Sequence, residues 1–444
     1  MRMRTGRKAA ALLAVMALAI AACGEGEEAT EEPAATEDPV ETEEEEPAEE
    51  PEEPAEDPGE EAGEGDPDVL NLAYILPETG QLAFLGPPMI NGVQLAVEEI
   101  NEAGGVLGNA IELQSGDEAG DSGIAAEEAS RLLASGVDAI VGAAATGMTL
   151  AIIDQITGAG VVQCSPSNTG PGLTDYPDDG YYFRTAPTDA LQGPVLAEQV
   201  IGDGNASVAI AARADDYGQG LLDATVGAFE AQGGEVAYAD TYDPEAATFD
   251  SVVEDMVGSG ADAFVLIAFA EGAAIVQGLI AAGVDTESMY GADGIAGSAF
   301  AEEVDPGDPN VLDGMTFTAP STQSTSEFDE KLTEFAPDLE DRLFAAQSYD
   351  CVNVIALAAH AAGSTASADI QANMIDVTNG DVECGTFVEC AEALDAGDTV
   401  AYQSAAGDAL EFTEAGEPSR GTYDVSRWVD GEFTTVETVT GTID

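Results

Sequence analysis

The chain of 444 residues is predicted to be an α/β protein whose body forms two doubly wound lobes, each built on a parallel sheet. Three observations predict this fold. Short apolar runs recur without alternation, as in strands that are buried on both faces. Each run is followed by a segment whose apolar residues repeat at helical spacing. The alternation of strand and helix then starts again after about residue 188, which predicts a second lobe.

The first lobe is predicted to contain four strands separated by helices. Its first helix is the clearest, because Ile90, Val93, Val97 and Ile100 share one face and Gly104-Gly105 follow as a stop signal. The other elements are strands at 69–76, 110–114, 137–142 and 161–164, with helices at about 124–135 and 150–157.

The second lobe repeats the pattern. Its predicted strands are 207–212, 235–242, 263–269 and 289–291, and its predicted helices are 220–232, 249–259 and 272–282. Parallel sheets of this kind bind ligands beyond the carboxyl ends of their strands. Two such lobes facing each other would place these ends on the two sides of a cleft, which is the expected site.

The N-terminus has the order of a secretory signal peptide. Four basic residues within 1–8 precede an apolar run at 9–22 that is too short to span a bilayer comfortably. The run ends in Ile20-Ala21-Ala22-Cys23, which resembles the bacterial lipobox, so Cys23 is expected to carry a lipid anchor at the outer face of the cell membrane. An ordinary signal peptide with a chance cysteine is the alternative.

Residues 23–67 are predicted to be the lipidated cysteine followed by a disordered acidic stalk. Almost all of this segment is Glu, Asp, Pro, Ala, Gly and Thr, and it has no periodic apolar face that could offset the entropy of ordering. Repulsion between its charges and its prolines would keep it extended.

The whole chain is strongly acidic, with 11 basic and 87 acidic residues and a net charge of −76. Residues 69–444 alone carry 64 acids against seven Arg and Lys, a net charge of −57. Nucleic acid and anionic lipid headgroups are therefore poor partners, because both require a cationic face. A saline environment would suit this surface, and an acidic composition without salt dependence is the alternative.

Four cysteines remain beyond Cys23. Export would place them in an oxidising compartment, and the short CGTFVEC loop predicts a Cys384–Cys390 disulfide. Whether Cys164 and Cys351 also pair is left open, because the sequence does not give their distance. A single His and the lack of paired CxxC motifs argue against a metal site, and no cofactor is indicated.

The segment Asn101-Glu102-Ala103-Gly104-Gly105-Val106-Leu107-Gly108 resembles the N-x-x-G-G-[IV]-x-G signature of the periplasmic leucine/isoleucine/valine-binding protein family. Other segments that resemble the family follow in its order over about 69–433: Asp117, Val141-Gly142, 165–169, 183–185, 216–218 and 291–294. The resemblance implies a type I periplasmic binding fold without catalysis. It further implies delivery of a small polar solute, such as a branched-chain or other amino acid, to the permease of an ABC transporter.

The family fold has three hinge crossovers. By resemblance, the first lobe comprises residues 68–187 and 320–424, and the second comprises 188–319 and 425–444.

In the first lobe, the resemblance places ligand contacts at Ala145 and Thr146 and at Ser167, Asn168 and Thr169. A hydroxyl and free N–H groups at a helix N-terminus suit a ligand carboxylate. A plain N-cap at Thr146 and an ordinary turn at 167–169 are the alternatives.

In the second lobe, Tyr217 and Asp293 follow predicted strands and should face the cleft. A buried carboxylate without a neighbouring basic residue would be satisfied by a ligand ammonium, whereas a solvated loop acid is the alternative. Phe269 and Phe344 are candidate pocket walls, although aromatic residues at such spacings more often belong to the core.

Departures from the family pattern leave the solute open among amino acids, amides and urea. Leu85 stands where the family has an aromatic residue, and the 268–271 loop lacks a family Tyr. Arg184 is expected to pair with nearby acids rather than to bind a ligand carboxylate.

An enzyme is disfavoured, because the sequence contains no Gly-x-Ser-x-Gly elbow, phosphate loop or metal-ligand cluster. His360, the single histidine, lies in an apolar, alanine-rich helical run. A ligand-sensing receptor subunit that acts through a partner is the stronger alternative to a transport protein.

Overall fold

The computed structural model describes residues 69–407 and 409–442. The predicted signal peptide, Cys23 and the acidic stalk lie outside the described residues. In the described ranges, no helix combines the length and the apolar character needed to cross a bilayer. The fold is α/β with two sheet-based lobes, which confirms the predicted fold class.

The first sheet has five strands, all parallel, in the order β2-β1-β3-β4-β5. Its apolar strands are buried on both faces by the flanking helices, as the unbroken apolar runs predicted. The fifth strand, β5, was not assigned from the sequence. The elements are β1 Asn71–Leu76, α1 Gly86–Glu102, β2 Glu112–Asp117, α2 Ser122–Ala134, β3 Ala139–Gly142, α3 Thr146–Gly158, β4 Val162–Ser165 and β5 Tyr182–Arg184.

The chain then enters the second lobe, whose first five strands pair in the order β10-β9-β8-β6-β7 and run parallel. The elements are α4 Asp189–Gly202, β6 Ser207–Arg213, α5 Asp216–Ala231, β7 Glu235–Tyr242, α6 Asp250–Gly258, β8 Ala263–Ile267, α7 Gly272–Ala281, β9 Met289–Gly291, α8 Phe300–Val304 and β10 Thr316–Pro320.

After β10 the chain returns to the first lobe, where α10 packs along α1. The close approach requires Gly92, because an added Cβ would lie 2.2 Å from the carbonyl oxygen of Ala345. The elements of this return segment are α9 Ser326–Phe335, α10 Ala345–Ala362, α11 Ser367–Gln371, β11 Val382–Cys384, α12 Phe387–Ala396 and β12 Val400–Tyr402.

Two disulfides strengthen the first lobe. Cys384 pairs with Cys390, joining β11 to α12, and Cys164 pairs with Cys351, joining the end of β4 to α10. The second bond spans 187 residues of sequence and ties the return segment to the sheet.

A third crossing leads to β13 Arg420–Val429 and β14 Glu432–Thr442, which complete the second sheet in antiparallel orientation. The seven-stranded sheet is therefore mixed, not wholly parallel as the sequence suggested. The whole of β13 belongs to this sheet, so the strand begins before the expected boundary at residue 425.

The three crossings lie side by side and form the hinge. The Tyr423 hydroxyl donates to the Thr188 carbonyl at 3.0 Å, and the Ser321 N–H donates to the Thr422 carbonyl at 2.8 Å.

The two lobes are closed onto each other in this structure. Arg213 of the second lobe donates to Gln81 of the first at 3.3 Å. The Ser298 hydroxyl donates to the Asp341 carboxylate across the same gap at 2.9 Å. Helix α5 also packs against α3.

Candidate functional site

A cavity lies between the lobes, beyond the carboxyl ends of strands from both sheets. All of the predicted ligand residues except Asn168 line it. The lining residues are Leu82, Leu85, Ala144, Ala145, Thr146, Ser167, Thr169, Tyr217, Phe269, Asp293, Gly294 and Phe344.

One end of the cavity is formed by the N-terminus of α3. Ala145 is the N-cap and offers no side-chain cap, so the first N–H groups of the helix have no helical carbonyl partner. The buried Thr146 hydroxyl accepts a hydrogen bond from the Gly170 N–H at 3.3 Å, which leaves its own proton free to be donated. This end suits an anionic group.

Not all of the N–H groups near the start of α3 are free for a ligand, as the sequence suggested, because Glu118 occupies the two that precede the helix. Its carboxylate accepts from the Ala144 N–H at 2.6 Å and from the Ala145 N–H at 3.4 Å. Complete burial raises the pKa of Glu118 to about 8, although the two N–H bonds oppose this rise. The N–H groups left for a ligand are those that follow, from Thr146 onward.

The loop after β4 is held by hydrogen bonds to the turn after β3. The Ser165 hydroxyl donates to the Ala143 carbonyl at 2.7 Å, and the Ser167 hydroxyl donates to the Ala144 carbonyl at 3.0 Å. The Asn168 amide donates to the same Ala144 carbonyl at 2.7 Å and accepts from the Tyr182 hydroxyl at 2.9 Å. Asn168 therefore braces the loop that presents Ser167 and Thr169, and does not line the cavity.

The other end of the cavity carries Asp293. The Tyr217 hydroxyl donates to its Oδ1 at 2.9 Å, and the Gln192 amide donates to the same oxygen at 2.9 Å. Burial raises the pKa of Asp293 to about 6, and the two donors oppose this rise. Burial and the nearby Asp293 charge raise the pKa of Tyr217, so this hydroxyl remains a donor.

Asp189, at the start of α4, is a second buried acid at this end, and sequence reasoning missed it. Its N–H donates to the Thr169 carbonyl at 2.7 Å, but neither carboxylate oxygen has a hydrogen-bond partner. Burial and the charge of Asp293 raise the pKa of Asp189 well above its usual value. The Thr169 side chain and the Arg184 charge oppose this rise but do not cancel it, so the two buried acids create a demand for a cation or a proton.

The wall between the two ends is apolar. The Phe269 ring stacks on Tyr217, with centroids 5.3 Å apart and planes 16° apart. Phe344 is 1% exposed and adopts a left-handed backbone conformation with φ of 63°, which is rare for a bulky residue. Leu82 and Leu85 complete the wall from the loop after β1.

Arg184 does not reach the cavity, which confirms its expected structural role. Its guanidinium pairs with Glu417 and donates to the Gly170 carbonyl at 2.9 Å and the Thr174 hydroxyl at 2.9 Å. Among residues 69–407 and 409–442, no group of three or more His, Cys, Asp or Glu side chains is placed to hold a metal ion.

The chain matches one protein family and resembles several of its members. The family model described as "Periplasmic binding protein" matches residues 69–391. The Leu/Ile/Val-binding protein homolog 3 of Brucella melitensis is 27% identical over 372 residues, which cover 83% of this chain and 94% of that protein. The chemotactic signal transduction system substrate-binding protein BasB of Halobacterium salinarum is also 27% identical, covering 84% of this chain and 90% of that protein.

Among solved structures, the fold resembles the branched-chain amino acid transporter substrate-binding protein LivJ of Streptococcus pneumoniae in complex with isoleucine. The TM-score is 0.70 at 26% identity, and the match covers 84% of this chain and all of that one.

Proposed function

The chain belongs to the periplasmic binding protein family, and we propose that it is an extracytoplasmic solute-binding protein for an amino acid with an apolar side chain, such as a branched-chain amino acid. In this proposal, closure of the two lobes captures the ligand, and the closed protein delivers it to the permease of an ABC transporter.

The arrangement of the cavity is the observation that carries this proposal. The N-terminus of α3 with Thr146 suits a carboxylate, and the Asp293 end suits an ammonium group. The wall between them, with Phe269 and Phe344, is apolar. A zwitterion with an apolar side chain meets these three demands at once, whereas urea and simple amides lack the charges.

The relatives support the same ligand class. The Brucella protein is named for leucine, isoleucine and valine, and the Streptococcus structure holds isoleucine.

Closure would follow from the division of the lining residues between the two lobes. The carboxylate end belongs to the first lobe and the ammonium end to the second, so a bound zwitterion interacts fully only when the lobes meet. Such a ligand binds the closed state more tightly and shifts the equilibrium toward it.

The lipid anchor is part of the proposal. Cys23 would tether the protein to the outer face of the cell membrane through the acidic stalk at 24–67. A Cys23→Ala variant expressed in a bacterial host is expected to move from the membrane fraction to the soluble extracytoplasmic fraction. Retention in the membrane fraction would refute lipid anchoring at this residue.

Calorimetric titration of the purified protein with the amino acids, with simple amides and with urea tests the ligand class. Binding of isoleucine, leucine or valine is expected, and a thermal-unfolding measurement at 100 times Kd should then show about 2.7 kcal/mol of stabilisation. Asp293→Asn should weaken this binding at least about tenfold, because the ammonium loses its charged partner. Asp216→Asn, an exposed acid beside Tyr217, is the matched control. Binding that is unchanged in Asp293→Asn would end the assignment.

A receptor subunit is the second candidate, supported by the similarity to a chemotactic substrate-binding protein. The same lobes and ligand would then serve a transducer instead of a permease. Affinity capture with the ligand-loaded protein distinguishes the two, since a permease subunit or a transducer would be recovered.

A further inference from the structure

Arg213 is a buried cation next to the cavity that ligand capture, as proposed above, does not use. It ends β6, and its side chain is only 9% exposed. Its guanidinium donates to Asp215 at 2.5 Å and to Glu271 at 3.0 Å. Glu271 also accepts from the Tyr242 hydroxyl at 3.0 Å. Because two carboxylates already engage Arg213, the residue is not an open site for a ligand anion.

The guanidinium also lies over the Phe269 ring, which forms part of the wall of the cavity. Its central carbon is 3.5 Å from the centroid of the Phe269 ring, which is a close cation–π contact. The same ring stacks on Tyr217. It also packs on the backbone of Gly294, where an added Cβ would lie 2.8 Å from the ring. Phe269 is therefore held by three neighbours, of which only Arg213 is charged.

Glu271 connects the ion pair of Arg213 to the position of Phe269. Its Oε1 accepts the guanidinium N–H and also the Phe269 backbone N–H, at 3.0 and 3.2 Å. The backbone and the ring of Phe269 are thus fixed through one ion pair. A second contact, from Arg213 to Gln81 of the first lobe, adds a restraint from the opposite lobe in the closed form.

We propose that Arg213 is a specificity-determining residue, which positions the Phe269 ring as the wall against which the side chain of the ligand packs. This inference rests on the proposed amino acid-binding function. In a small closed cavity, discrimination between ligands that differ by methylene groups depends on how firmly the wall is held. A wall that moves would accept large and small side chains with more equal affinity.

The test compares the ratio of the alanine and isoleucine dissociation constants in the wild type and in variants, by calorimetry on the full-length protein. Arg213→Lys keeps a cation between Asp215 and Glu271 but lacks the planar group that covers the ring. Arg213→Met lacks both the planar group and the positive charge. The ratio is expected to fall at least about fivefold in both variants, which corresponds to about 1 kcal/mol and lies within the range of cation–π contacts. Arg427→Lys, which alters an arginine of β13 that bonds Asp203, is the control and should keep the wild-type ratio.

The possible failures are distinguishable. If Arg213→Lys retains the wild-type circular dichroism but shows an unchanged ratio, or if both amino acids weaken by the same factor, the specificity role is refuted and the binding function stands. If the wild type binds no amino acid, the proposed function and this inference both fall.

Discussion

Glu118 and Asp189 are fully buried acids that contact the loops lining the cavity. Glu118 accepts from the Ala144 N–H, and the Asp189 N–H donates to the Thr169 carbonyl. Burial raises the pKa of Glu118 to about 8 and that of Asp189 well above its usual value. In the unfolded chain such acids titrate near pH 4. At these two groups the native state therefore binds more protons than the unfolded state above that pH, so their contribution to the free energy of unfolding falls as the pH rises.

Glu118→Gln should flatten this dependence. Below about pH 4 the wild-type carboxyl is protonated in both states and carries no penalty. As the pH rises toward the native pKa of about 8, the wild type loses up to about 1.4 kcal/mol per pH unit through this group. Gln cannot ionise, yet its amide oxygen still accepts from Ala144. Urea unfolding at several values between pH 5 and 8 measures the slope, with the exposed Glu112→Gln as control. Equal slopes in wild type and Glu118→Gln would contradict the assignment.

Asp189→Asn should have opposite effects on the free and the bound protein. Removing one of two neighbouring buried charges relieves repulsion of Asp293, so the melting temperature without ligand should rise. The affinity for an amino acid should fall, because the ammonium group loses part of its compensating charge. Thermal unfolding and calorimetric titration check the two directions. A variant that binds as tightly as the wild type would place Asp189 outside ligand recognition.

At the scale of elements, the strands were the most predictable part. Buried parallel strands are short, mostly apolar runs, so the limits predicted for β9 coincide with the observed Met289–Gly291, and those for β6 differ by one residue from Ser207–Arg213. The starts of two helices that face the cleft were predicted late: α3 begins at Thr146 instead of residue 150, and α5 at Asp216 instead of residue 220. Their first turns face the cleft and carry polar or small residues, so apolar periodicity does not reveal them.

Only some of the site residues could be predicted from the sequence. Thr146, Tyr217 and Asp293 could be placed because they follow recognisable strands in the order of a known family. Glu118, Asp189 and Arg213 could not, because their importance lies in burial and in partners distant in sequence. In a chain with 87 acidic residues, the sequence does not distinguish a buried Asp or Glu at the site from the many acids on the surface. Strands β13 and β14 were missed because polar and charged residues interrupt their apolar residues, unlike the apolar runs of the buried parallel strands.

The Cys164–Cys351 disulfide joins two elements that shape the site. Cys164 directly precedes Ser165, whose hydroxyl organises the ligand loop, and Cys351 lies in α10. Replacing both by Ala should lower the free energy of unfolding by about 2–5 kcal/mol and weaken ligand binding. The Cys384–Cys390 bond closes a loop of only six residues. Replacing both of its cysteines by Ala should therefore lower the free energy of unfolding by less and leave binding unchanged. Denaturant unfolding and titration of both double variants check this, and equal losses in the two would contradict it.

At the scale of the whole molecule, the distribution of charge is extremely one-sided. All seven basic residues of the described part already pair with carboxylates: Arg131, Arg184, Arg213, Lys331, Arg342, Arg420 and Arg427. With a net charge of −57 on residues 69–444, most of the remaining acids have no cationic side chain to offset them. Folding brings these charges closer together, so their mutual repulsion opposes the compact state.

Salt should therefore stabilise the protein. Raising the ionic strength from 0.1 to 1 M shortens the screening length from about 10 to about 3 Å, so repulsion between surface acids weakens while the buried pairs change little. The melting temperature should rise by several degrees between 0.1 and 1 M KCl, roughly 2–4 °C for each kcal/mol gained. Sucrose of equal osmolarity is the control, because it stabilises folded proteins by exclusion but does not screen charge. A gain no larger in KCl than in sucrose would mean that the repulsion is already neutralised, and that the acidic surface brings solubility without dependence on salt.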